Sequence, residues 1–376
     1  MTKGGLEDVI AANSAISDII GSQGKLTYRG IDIHDLARRS SFEETTYLLW
    51  FGTLPTREAL SEFSEQLASH RALPQQVLTL MKDFPRTATP MDALRTALSA
   101  LAFYDPQAHD ASRDANVAKA MRVTAQTATI VAAYEQIRRG REPVEPDEAG
   151  SHAENFLRML FGGEPDPLYV RAMDLALILH ADHELNASTF AARVTAATLA
   201  DIYSAIVSAI GALAGPLHGG ANEQVMKMLQ KIGEPARAEA YVSERLQAHQ
   251  KIAGFGHRVY RTEDPRATHL RQMSRQLGEH VGNLRWYEIS RKIEEAVMQQ
   301  KQLYANVDFY SASCYFTMGI PIDMFTPVFA VSRVSGWTAH ILEQYADNRL
   351  IRPRAEYVGE KDVPYVPIDR RVKAAS

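Results

Sequence analysis

Four short clusters hold most of the residues able to do chemistry. The first, His180-Ala-Asp-His-Glu-Leu-Asn, sets His180 and His183 three apart. On a helix they would share a face, a spacing suited to a metal or an anionic substrate. One core histidine and one surface histidine would give the same pattern. The second, Gly215-Pro216-Leu217-His218-Gly219-Gly220-Ala221-Asn222, follows a helix-like run and puts a histidine against two glycines. Glycine permits a tight turn and close approach of substrate to backbone. If a helix starts after His218, its positive end disfavours imidazolium and keeps a neutral ring that can polarise a carbonyl. A plain turn with an exposed histidine fits equally well. The third, Gly254-Phe255-Gly256-His257-Arg258-Val259-Tyr260-Arg261 with Asp264-Pro265-Arg266, combines a Gly-x-Gly with guanidinium groups suited to carboxylate or phosphate. No Gly-Lys-Ser/Thr follows, so it is not a P-loop. In the fourth, Asn306-Val307-Asp308-Phe309-Tyr310-Ser311, an acid sits among apolar residues. Burial would raise its pKa toward that of a useful general base, although an aspartate there also suits a helix N-cap.

These clusters need positioning elements, and the apolar periodicity predicts helices. Strand-like alternation is confined to the first thirty or so residues, while spacings of three and four recur afterwards. The fold class is therefore mainly α. Leu199, Ile202, Ile206, Ile210 and Leu213 are expected on one face of a core helix stopped by Ala-Gly-Pro at 214–216. Met324, Val328, Val331, Ile341 and Tyr345 mark a long C-terminal helix ending before Arg352-Pro353, with Arg333 a polar exception inside it. Loops are expected at Gly140 to Gly150, Gly162 to Pro167 and Ala253 to Pro265. The aperiodic stretch Pro353 to Ser376 should wrap over a surface or a partner subunit.

The 376 residues exceed what one core usually supports, which favours two domains. With 41 Lys and Arg against 45 Asp and Glu, the formal net charge of -4 offers no basic field for nucleic acid. Cys314 is the single cysteine, which excludes an internal disulfide framework and multi-cysteine metal sites and fits a reducing, cytoplasmic setting. Met1 to Ile10 lacks the pattern of an export signal, and Leu199 to Leu217, interrupted by Asp201, is not a membrane span.

Taken in order, the four clusters resemble the citrate synthase family, together with Gly24-Lys25-Leu26-Thr27-Tyr28-Arg29-Gly30, Phe42 to Leu49, Pro90-Met91 and Leu94-Arg95. The resemblance implies a citrate synthase fold: a large helical domain (1–218 and 314–376) and a smaller one (219–313) that closes over the active site. It implies condensation of acetyl-CoA with oxaloacetate, with no metal or other cofactor. Asp308 would remove a methyl proton, His218 would hydrogen-bond the thioester oxygen, and His257 would polarise the ketone. His183, Arg266 and Arg333 would hold oxaloacetate, and Arg352 would reach across from the other subunit of a homodimer. Ile252, Ala253, Gly254, Phe255, Gly256 and Arg261 would contact CoA. Closure would make binding ordered and keep water from the enolate. The chain lacks the longer N-terminal extension of the NADH-regulated hexameric members, so a dimer without that control is expected.

Two rivals share parts of this pattern. A 2-methylcitrate synthase would use propionyl-CoA on the same catalytic set, and one methylene is discriminated by only about 1–3 kcal/mol, so a bifunctional enzyme fits too. Arg258, and Phe309-Tyr310 after the acid, resemble citrate synthase more closely. A helical metal-dependent phosphohydrolase would instead use His34-Asp35, His109-Asp110, His180 and His183, leaving Asp308, Arg266 and Arg333 without a role.

Overall fold

The structure, a computed structural model, describes residues 4–6 and 9–371. The N-terminal reading on Glu7 and Asp8, and the last five residues of the C-terminal stretch, lie outside them. Three short strands, β1 (Ser17–Ile20), β2 (Lys25–Tyr28) and β3 (Ile31–Asp32), form an antiparallel sheet in that order, with Ser17 opposite Tyr28 and Thr27 opposite Asp32.

The rest of the described chain is helical and irregular. The first half holds α1 (Ile33–Arg39), α2 (Phe42–Phe51), α3 (Arg57–Ser69), α4 (Gln75–Lys82), α5 (Pro90–Leu101), α6 (Arg113–Arg138), α7 (His152–Phe161) and α8 (Pro167–His180). The second holds α9 (Ala187–Ala196), α10 (Ile202–Leu213), α11 (Ala221–Ile232), α12 (Ala238–Gln247), α13 (Pro265–His280), α14 (Arg285–Lys301), α15 (Val307–Thr317) and α16 (Phe325–Ala346). Their starts follow from local chemistry. Asp166-Pro167 and Asp264-Pro265 place a capping carboxylate before a proline whose fixed φ suits the first helical position. Ser151 and Glu154 close a capping box on α7.

Helix α16 is the axis of the fold: it packs on α2, α6, α8, α9 and α10, with Val331, Val334, Trp337 and Ile341 fully buried. Helices α11 to α15 pack chiefly on one another and meet the rest through α1, α8 and α16 against α13 and α11. The division expected at 313/314 falls within α15. Ser313 of that helix shares a hydrogen bond with Ser274 of α13, and Tyr315 packs its ring edge-on to Phe325 of α16.

One expected helical face is corrected. Leu199 is not on the core face of α10: it is 70% exposed, with φ +64°, in the turn before that helix. Asp201 caps the helix by accepting from the Ser204 N–H, so α10 starts only at Ile202.

Candidate active site

Six polar residues expected to act together do line one cavity of about 770 Å³: His183, His218, His257, Arg266, Asp308 and Arg333. They come from segments far apart in the chain, and each is fixed by a distinct local device.

His183 does not share a helical face with His180. α8 ends at His180, and the chain turns away, because Asp182 is drawn into another network. Its backbone carbonyl accepts from Tyr28 Oη at 2.9 Å, and its carboxylate accepts from Ser17 Oγ at 2.5 Å and lies 3.2 Å from His340 Nε2. α16 passes so close that a Cβ on Gly336 would lie 2.2 Å from the Ala181 oxygen. Glycine at 336 thus lets α16 approach this turn, and Arg333 lies one helical turn before it. Arg333 Nε donates to the His180 carbonyl at 2.6 Å, and the guanidinium sits 4.6 Å over the Phe329 ring. Among the described residues it has no carboxylate partner within ion-pair distance. Burial foremost pulls its pKa down to about 10, so it remains cationic at neutral pH.

His218 lies in the turn between α10 and α11. The Gly219 N–H donates to the Leu213 carbonyl at 2.9 Å, and a Cβ on Gly219 would sit 2.3 Å from that same oxygen. The ring Nε2 accepts the Ser188 N–H at 3.3 Å and faces Ser188 Oγ at 2.8 Å. A backbone N–H can only donate, so the neutral ring carries its proton on Nδ1. Burial, reinforced by Arg333, lowers its pKa to about 4.

His257 is set the opposite way. The N–H groups of Val259 and Tyr260 both donate to Nδ1, at 3.0 and 3.2 Å, which leaves the proton on Nε2. Burial and Arg266 lower this ring to about 4, with Asp264 opposing. Burial also holds His183 well below its usual range, its Nε2 lying 3.2 Å from the Tyr260 hydroxyl. The site thus presents two neutral imidazoles whose N–H ends are chosen by main-chain donors.

Asp308 sits in the first turn of α15. The Asn306 side chain accepts the Asp308 N–H at 3.1 Å and donates to the Gly256 carbonyl at 3.1 Å, while the Asn306 N–H donates to Gly254 O at 2.9 Å. The glycine loop and the start of α15 are thereby joined, bringing His257 and Asp308 to one wall. Burial pushes the Asp308 carboxyl up to about 6, against the lowering pull of Arg266. The N-cap reading of Asp308 is corrected: Asn306 caps the helix, and Asp308 lies within its first turn as a carboxyl raised by burial.

Arg266 is held by Asp264, which accepts from its Nε at 2.9 Å and Nη2 at 2.8 Å and also takes the Val307 N–H at 3.1 Å. Burial alone would lower the Arg266 pKa, but Asp264 outweighs it and holds the guanidinium above its ordinary value.

The remaining expected contacts are distributed differently. Ile252, Phe255 and Gly256 line a second cavity of about 590 Å³, which also includes His257 and Arg258 and so adjoins the first. Gly254 is buried behind it, and Ala253 and Arg261 line neither cavity; the Arg261 N–H donates to Gly21 O. Gly254 has φ +81°, and a Cβ there would lie 2.7 Å from the Phe309 ring and 2.8 Å from Val225. Gly254→Ala should therefore cost about 2 kcal/mol or more of stability, as checked by denaturant unfolding. Arg352 is exposed and lines a separate groove with Ile10, Arg193 and Glu343.

Sequence reasoning missed Asp264 and Ser188, which hold Arg266 and His218. The first had a signal in Asp-Pro-Arg, the pattern of a capped helix start; Ser188 had none. The metal-dependent alternative finds no convergence. His34 faces His269, His109 lines another pocket, and His180 is buried with Nδ1 2.7 Å from the Ala176 carbonyl.

A mainly helical fold with a raised carboxyl, two neutral imidazole donors and two buried guanidiniums in one cavity defines an enzyme of carbon-acid chemistry on an anionic substrate. The family model described as "Citrate synthase, C-terminal domain" matches residues 5–354, and the chain belongs to the citrate synthase family. It is 55% identical over 368 residues to "Citrate synthase 2" of Bacillus subtilis, covering 98% of each chain. It is 44% identical to a "2-methylcitrate synthase" of Mycobacterium tuberculosis, covering 96% of this chain and 91% of that one. The solved citrate synthase of Thermoplasma acidophilum, a ternary complex with carboxymethyl coenzyme A and oxaloacetate, superposes with TM-score 0.91 at 34% identity, covering 98% of each chain.

Proposed function

We infer that this protein condenses acetyl-CoA with oxaloacetate and water to give citrate and CoA. The observation that carries the reading is the meeting, in one cavity, of a carboxyl raised to about 6 and two imidazoles held neutral with their free N–H groups on opposite nitrogens. Arg266, Arg333 and His183 bind the dicarboxylate. His218 donates from Nδ1 to the thioester oxygen while Asp308 takes a methyl proton, so the charge that forms on oxygen meets a ready donor. The resulting carbon nucleophile attacks the ketone carbon of oxaloacetate. His257 donates from Nε2 to the ketone oxygen, where the alkoxide develops. Water then cleaves the citryl thioester, releasing CoA.

Ile252, Phe255 and Gly256 place the CoA-binding segment beside His257, and Ala253, Gly254 and Arg261 belong to it by position in the chain. Residues 219–313, from α11 into α15, form the smaller, closing domain. The active form is a cytoplasmic homodimer in which Arg352 of one copy completes the site of the other. Two features support this: Arg352 stands away from the cavity of its own chain, and the segment after it exposes Tyr357, Val358, Tyr365 and Ile368. Among the described residues no helix is long and apolar enough to cross a membrane, and no group of three or more His, Cys, Asp or Glu side chains is placed to hold a metal ion.

The test is thiol release from acetyl-CoA and from propionyl-CoA, each with oxaloacetate and a chelator present. A higher kcat/KM with acetyl-CoA is expected; a preference for propionyl-CoA would move the assignment to 2-methylcitrate synthesis. The pH profile is a second check. Asp308 must be ionised to act, so kcat/KM for acetyl-CoA should fall about tenfold per unit below pH 6 and be flat above 7.

A further inference from the structure

Helices α8 and α13 run side by side in opposite directions: His280, ending α13, lies 2.8 Å from Asp166, which caps α8, while Arg266 and His180 are neighbours at the other end. Helix α1 packs across both, and the three enclose a groove of about 440 Å³. None of the groups in that groove takes part in the chemistry described above.

Cationic and donor groups dominate its lining. Arg38 comes from α1 and Arg171 from α8, and neither guanidinium has a hydrogen-bond or ion-pair partner among the described residues. Gln272 and Gln276 add amides from α13. His34 Nδ1 and His269 Nε2 are 2.8 Å apart, joining α1 to α13 directly. The single carboxyl in the lining is Asp174. Burial and then the nearby Glu43 push it up to about 7, against the Phe42 N–H that donates to it, so near neutral pH it is only about half ionised. Planar guanidiniums on two different helices, with amide donors on a third, suit a ligand bearing several anionic oxygens.

We propose that the groove between α1, α8 and α13 binds a small polyanion, a polyphosphate or a polycarboxylate, through Arg38 and Arg171. Occupancy ties α13, whose first turn carries Arg266, to α1 and α8, making this a second ligand site with a mechanical link to the substrate cavity.

The test compares thermal unfolding of the wild-type chain and Arg38→Gln/Arg171→Gln with tripolyphosphate and, separately, tricarballylate. Either anion can also enter the substrate site, so the quantity read is the difference between the two proteins. A ligand that binds only the native state raises its melting temperature. A rise of about 2 °C or more at ~100 Kd is expected in the wild type, and most of it should be absent in the double variant. That variant should keep kcat and KM for acetyl-CoA within about twofold. A shift with tripolyphosphate alone assigns a phosphate ligand, and one with tricarballylate alone a carboxylate. Equal shifts in both proteins, or none in either, would overturn the proposal. Should the double variant fail to fold, Arg171→Gln alone, on an exposed position, serves the same comparison.

Discussion

Asp308→Asn should lower kcat with acetyl-CoA by about 10³-fold while oxaloacetate still binds within a few-fold of wild type. The asparagine side chain keeps the size of the acid but cannot accept the methyl proton, and a positioned base contributes about 10²–10⁴-fold. Steady-state kinetics and calorimetric titration with oxaloacetate separate the two effects; near-normal turnover would remove Asp308 from its role. The same substitution should stabilise the fold. Because the folded carboxyl is raised to about 6, above the ordinary value of 3.8, its ionisation costs stability that is fully felt above pH 6 and absent below about pH 4. The variant should therefore gain about 3 kcal/mol at pH 8 and nothing at pH 4. A catalytic loss without that pH-dependent gain would mean that Asp308 is not the strained acid inferred from its burial.

Arg266→Met carries the largest expected loss of stability. Arg266 and Asp264 are almost completely buried, at 3% and 1% exposure, and removal of one partner leaves an uncompensated charge. Such losses cost about 3–5 kcal/mol, to be measured by denaturant unfolding at pH 8. The pH dependence identifies the cause. In the wild type Asp264 lies below its ordinary value: burial alone would raise it, and Arg266 outweighs burial. It therefore contributes stability above the unfolded pKa, lost as pH falls through the folded one. Without Arg266 burial prevails, the folded pKa rises, and ionisation becomes a cost that grows with pH. The gap between wild type and variant should widen from pH 4 to pH 8. A gap independent of pH would point to lost packing alone, and Arg266→Met/Asp264→Asn should then recover nothing.

The helical class and the segments that line the cavity were legible because their signals are local. A histidine between a broken helix and two glycines, and an arginine after Asp-Pro, carry their signals within a few residues. The apolar periodicity of 324–345 likewise placed α16, with Arg333 inside it. Non-local competition decided the failures. His180 and His183 have helical spacing, but Tyr28 and Ser17, more than 150 residues earlier, take Asp182 and bend the chain away. Leu199 fits the α10 stripe, yet the Asp201 cap cuts the helix two residues after it. The tautomers of His218 and His257 could not be read from sequence, since each depends on which backbone N–H reaches which ring nitrogen. Arg352 stands exposed in a separate groove, and its proposed role, across a subunit interface, is not one that a single chain displays.

The two guanidiniums facing the cavity have different companions. Arg266 is tied through Asp264 to the start of α15, so the helix bearing Asp308 is anchored at the same point; Arg333 belongs to α16 and, among the described residues, has no carboxylate within ion-pair distance, Asp182 acting on it only from further away. Two like charges lining one buried cavity repel each other, and a dianion between them would reverse the sign of that force. On the proposed reading a bound dicarboxylate would be their shared counter-ion, and its two carboxylates would act as the latch. A monoanionic keto acid would lodge against one arginine and leave the other unanswered. Discrimination between four-carbon diacids and their decarboxylated relatives would then follow from charge balance as much as from shape.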